Sequence, residues 1–175
     1  MKELVHNREI SIRTYDLGES LILVEGKLID HRYRPRDDEA FEGGKCLHDM
    51  IIRLQVRGPG MQIEKAEAEM LQYPREECPV VLPWLQVLEG MRIAAGFTMK
   101  MKETIGDTKG CAHLSSLVIA MGPAAVQGYW SAYGVDKEKI SLHKEAIKGV
   151  VNTCYLWRED GPLIQQLKEE IKSRS

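Results

Sequence analysis

The run Gly110-Cys111-Ala112-His113-Leu114 puts a thiol and an imidazole at the head of an apolar stretch (Leu114, Leu117, Val118, Ala120, Met121) that reads as a helix. A turn over 106–110 feeds it. At a helix start, unpaired backbone N–H groups and the positive end of the dipole favour thiolates, the form of cysteine that attacks electrophiles and binds metals. Cap residues have non-helical dihedrals, so Cys111 and His113 can converge there on one locus. The competing reading is a small buried thiol beside a capping histidine, since cysteine is among the most buried residue types.

Three further segments carry donors. In 47–57 the alternation of Met50, Ile52, Leu54 and Val56 predicts a strand, and it places His48 on the same core-directed face. A histidine there is either a ligand or a ring hydrogen-bonded to backbone. Adjacent Asp49 faces the other way and is a candidate for orienting a metal-bound imidazole. Cys78, before Pro79, is a second thiol at a helix start. Cys46 lies beside Gly43-Gly44-Lys45 and reads as an exposed thiol in preference to a fourth ligand, while Cys154 reads as a packing residue. No C-x-x-C pair exists, so a metal site would have to be assembled by tertiary folding. Phosphate loops, dinucleotide-binding turns and the common hydrolase motifs are also missing. The acidic runs 37–39 and 64–69 read as solvated faces, and Trp84, Trp130 and Trp157 as core or interface.

The elements that must position these donors follow from periodicity. Strands are expected over 9–16, 21–32, 47–57 and 61–71, the first two joined by a tight turn and the last two by Arg57-Gly58-Pro59-Gly60. Segment 33–45 is a charged surface loop. From Pro79 a helical period appears (Val80, Val81, Trp84, Leu85, Leu88), closed by Gly90. Residues 97–105 suit a short helix or strand, and 111–133 a long apolar helix with a break expected at Gly122-Pro123. Two further helices are expected over 137–148 and 162–173. The outline is α+β: an antiparallel sheet of about four strands packed against C-terminal helices, in a single domain over 1–175. Within it, 1–135 forms the sheet and core helices and 136–175 a helical extension.

With 24 basic and 26 acidic residues interleaved, the chain has no basic stripe, which argues against nucleic acid as a partner. No apolar run reaches the roughly 18 residues of a membrane span, and no secretory h-region opens the chain. Four cysteines without an export signal are expected to be reduced thiols in the cytoplasm.

Taken together, Leu47-His48-Asp49-Met50, Pro74 to Cys78, Leu88-Glu89-Gly90 and the segment 110–114 resemble a bacterial family of unknown function, with Ala112 where that family's motif carries threonine. The likeness covers roughly residues 8 to 160 and implies no activity. A more distant similarity is to iron–sulfur scaffold proteins of the IscU/NifU type. There, too, a strand-borne donor is followed by a hairpin, a helix-start cysteine and a later helix opened by a histidine and a cysteine. That similarity implies an IscU/SufE-like core. His48 or Leu47 stands where the scaffold has its first cysteine, and Cys111-x-His113 replaces an adjacent pair.

These readings lead to three expectations. The first is a metal- or iron–sulfur-binding domain with His48, Asp49, Cys78, Cys111 and His113 as candidate ligands of zinc or a cluster. The second is a thiol enzyme for sulfur or acyl transfer, with Cys111 as nucleophile and His113 or His48 as base. The third is a module without chemistry whose terminal helices dock a protein partner or a second copy.

Overall fold

A computed structural model describes residues 2–34, 44–133 and 151–173. Most of the expected loop 33–45, its acidic run 37–39 included, and the expected helix 137–148 lie outside them. The chain opens with four antiparallel strands in sequence order, β1 (His6–Gly18), β2 (Leu21–Arg32), β3 (Lys45–Arg57) and β4 (Gln62–Gln72). Hairpin turns need no crossover, so neighbours in sequence are neighbours in the sheet. The fold is α+β, and all four strands lie where the alternation placed them, give or take a few residues at the ends.

One face of the sheet is the core. Ile22, Val24 and Leu28 of β2, Met50, Ile52, Leu54 and Val56 of β3, and Ile63 and Ala66 of β4 are buried on it. The opposite face is laced with ion pairs, Lys27–Asp49, Arg53–Glu25 and Arg53–Glu69 among them. Such alternation fixes register, because a slip of one residue would exchange the two faces.

After β4, Cys78–Leu88 winds as a 3-10 helix rather than the expected α-helix. Pro83 has no N–H to donate within it. Leu85 and Leu88 are buried and Val81 and Leu82 pack against the core, whereas Val80 and Trp84 are exposed. Gly90 and Ile93 then donate backbone hydrogen bonds to Ile63 and Met61, covering the β4 edge.

Residues 97–105 form a helix, α1 (Phe97–Ile105), which buries Phe97, Met101 and Ile105 at successive turns. The second α-helix, α2 (Ala112–Tyr133), runs through Gly122-Pro123 without the expected break. Buried Gly122 lets the Phe97 ring lie against it, since an added Cβ would come within 3.0 Å of that ring. Helix α2 lies across β1, β2 and β3. Leu114, Leu117, Val118, Met121 and Ala125 are buried beneath it. Gly26 admits the helix closely: a Cβ there would sit 2.6 Å from Met121 Sδ and 3.1 Å from Leu117 Cδ1. A final helix, α3 (Pro162–Ser173), buries Ile164 and Leu167. Trp157, in the turn before it, meets Trp130 of α2 edge to face at 6.0 Å. None of the described helices is long and apolar enough to cross a membrane.

Candidate metal centre

Strand β2 continues its inward alternation past Leu28 to Asp30, so a carboxylate is carried onto the core face and is 1% exposed. Register sets Arg8 of β1 and His48 of β3 directly opposite it on either side. These three form one row across the sheet. Just beyond the row the β2–β3 ladder is irregular: Asp30 faces His48 but His31 faces Cys46, leaving Leu47 as an extra residue. A bulge of this kind re-aims the side chains beside it.

Above the row stands the first turn of α2, which lowers His113 onto Asp30. His48 Nδ1 lies 3.1 Å from Asp30 Oδ2, and His113 Nε2 lies 3.5 Å from the same oxygen. The two imidazoles face each other with centroids 3.8 Å apart and planes tilted by 31°. Among the described residues, Asp30, His48 and His113 each offer one ligand atom within 4.8 Å of the other two.

A buried carboxylate is costly unless paired. Arg8 supplies the pairing as a fork, Nε to Oδ1 and Nη2 to Oδ2, both at 2.7 Å. Burial pushes the Asp30 carboxyl up, but Arg8, His113 and His48 outweigh it, and the net direction is below the ordinary carboxylate value. The guanidinium is held correspondingly higher by its hydrogen bonds to Asp30. His113 is pushed below the ordinary imidazole value, first by burial and then by His48 and Arg8, with Asp30 opposing. At neutral pH its ring is therefore uncharged and offers a lone pair. His6, at the start of β1, brings Nε2 to 3.7 Å from the Oδ1 side.

Of the residues singled out from sequence, His48 and His113 come together. Cys111 is adjacent, but its Sγ lies 3.6 Å from His113 Nδ1, the ring nitrogen other than the one facing Asp30. The thiol thus stands behind His113 and outside the three-donor group. Asp49 points to the opposite face of the sheet, as alternation requires, and pairs with Lys27 at 3.1 Å. Cys78 heads the 3-10 helix and contributes no donor to the group. Cys46 is half-buried and contacts the His48 carbonyl at 3.4 Å; burial and then Asp49 push its thiol up. Cys154 is exposed rather than packed.

Sequence reasoning missed Asp30, Arg8 and His6. The signal for Asp30 was present, because it continues the phase of Ile22, Val24 and Leu28. A carboxylate in an inward position needs a partner, and that demand alone would have marked it.

No curated protein and no solved structure matches the chain. A family model described as "Protein of unknown function (DUF2889)" matches residues 6–127, a span that runs from β1 into α2 and contains His6, Arg8, Asp30, His48, Cys111 and His113, and the chain belongs to that family.

Proposed function

We propose that this protein binds a single divalent transition-metal ion through Asp30, His48 and His113. The observation that carries the reading is the convergence of His48 Nδ1 and His113 Nε2 on one oxygen of a buried carboxylate. Ligand bonds of about 2.0–2.2 Å at a tetrahedral ion hold donors about 3.3–3.6 Å apart. The 3.1 and 3.5 Å separations fall close to that span. A carboxylate oxygen has two lone pairs, so Oδ2 can keep its Arg8 bond and still turn one pair toward the imidazoles. Two imidazoles and a carboxylate suit zinc or iron(II) and leave further coordination positions for water or substrate. An iron–sulfur cluster wants thiolates, and among the described residues none joins this donor group, which favours a lone ion over a cluster.

Cys111 then serves as an outer partner. With Nε2 on the metal, His113 carries its proton on Nδ1 and donates it toward Sγ, which fixes ring and tautomer. Elemental analysis of protein purified without oxygen or chelator tests the reading. One ion per chain in the native protein and almost none in His113→Ala supports it, and equal trace metal in both overturns it.

A second reading draws on the same contact. His113 meets Cys111 Sγ at 3.6 Å through Nδ1 and Asp30 at 3.5 Å through Nε2, which is the order of a nucleophile, a base and the group that orients it. Under it the chain is a thiol enzyme, and its activity depends on the Cys111 sulfur rather than on a metal.

A further inference from the structure

Strand β1 forms one margin of the sheet. It is paired with β2 along its length, and its other edge meets no strand among the described residues. Every residue of β1 is exposed or only half-buried. Long open edges invite another strand, and proteins commonly blunt them with charge. The charges on β1 are arranged differently, in a pattern complementary to itself.

The two faces of β1 separate cleanly. Arg8, Ile10, Ile12 and Thr14 lie on the core side: Arg8 grips Asp30, Ile12 packs against the core, and Thr14 lies under Gly128 of α2. Asn7, Glu9, Ser11, Arg13 and Tyr15 lie on the other side. Ile10 is 42% exposed and Tyr15 43%, and Arg13 makes no ion pair among the described residues.

Two copies of β1 that pair antiparallel about a two-fold axis must match like faces, which restricts the centre to a residue rather than a gap between residues. Centring on Ser11 sets Glu9 opposite Arg13 twice on one face and Ile10 opposite Ile12 twice on the other. Centring on Ile10 sets Arg8 against Ile12. Centring on Ile12 sets Glu9 against Tyr15 and Arg13 against Ser11, and its opposite-charge pair, Arg8 with Asp16, draws on side chains already bonded to Asp30 and to Gly18 and Tyr133. Opposite charges and paired β-branched residues across strands stabilise a ladder, and charge against isoleucine does not.

We infer that β1 is a self-association edge, where two copies of this chain pair antiparallel about Ser11 and extend their sheets into one. The edge contributes backbone hydrogen bonds, two Glu9–Arg13 pairs and two Ile10–Ile12 contacts. An interface of this size is at the small end for stable complexes, so the dimer is concentration-dependent.

Mass measurement in solution, combined with two sets of variants, tests this. Native protein should move toward twice its 19.9 kDa chain mass as concentration rises. Glu9→Arg should shift it to monomer by setting Arg against Arg, and Glu9→Arg with Arg13→Glu should restore the dimer. Independently, Ser11→Cys on a Cys154→Ser background should give a reducible crosslinked dimer on mild oxidation that Cys154→Ser alone does not. A chain that stays monomeric at about 1 mM overturns the inference. So does a dimer that ignores the charge reversals and leaves Ser11→Cys uncrosslinked.

Discussion

At the scale of single residues, the site depends on how Asp30 stays charged inside the molecule and how His113 stays neutral beside it. Both groups take up protons less readily in the folded chain than in the unfolded one. Acid therefore favours the unfolded state at each. The contribution of His113 is intact above its unfolded value of about 6.5 and is lost as pH falls through its lower folded value. That of Asp30 is intact above about 3.9 and goes at still lower pH. Between neutrality and about pH 8, below the range where an unfolded cysteine ionises, the stability of metal-free protein should thus be flat, and it should begin to fall below about pH 6.5. In His113→Gln, thermal melts against pH should lose that first decline and keep the later one. A native curve that is flat down to pH 5 would contradict the role given to His113. Cys111→Ser separates the two functional readings. As an outer partner its removal should weaken metal binding about 10–100-fold without abolishing it, by competition with a chromogenic chelator. Unchanged affinity would remove the thiol from the metal account.

Elements explain why these residues meet. Sheet register delivers Arg8, Asp30 and His48 to one row, and α2 brings His113 down on it because Gly26 lets helix and sheet approach closely. Gly26→Val should hold them apart, with a destabilisation of about 1–3 kcal/mol from overpacking, measured by denaturant titration. Weakened metal binding should accompany it, although residue 26 touches no donor. The four strands were legible because strict alternation leaves one register that buries the apolar set. His48 could be placed inward for the same reason. Three things were not legible. Segment 78–88 carries apolar residues that fit 3.6 or 3.0 per turn: Val81, Leu85 and Leu88 meet the core on the first spacing and Leu82, Leu85 and Leu88 on the second, so the apolar pattern alone does not choose the winding. The continuity of α2 through Pro123 rests on tertiary contacts around Gly122 rather than on propensity. The third is which helix-start cysteine meets the histidines, a matter of where α2 and the 3-10 helix land on the sheet. Local sequence holds no record of that, so Cys78 looked equivalent to Cys111.

As a whole, the molecule has a sheet with one wet face and one packed face, and a charged cluster where the packed face runs out beneath the start of α2. A ligand that binds only the folded chain stabilises it by mass action, about 2.7 kcal/mol at 100 times its dissociation constant. For a chain of this length that raises the melting temperature by about 5–11 °C. The most direct measurement is a calorimetric titration of metal-stripped protein with zinc, run beside His48→Ala and His113→Ala. One site per native chain is expected, lost in both variants along with the thermal shift. Zinc binding that is the same in all three proteins, or absent from the native one, would contradict it.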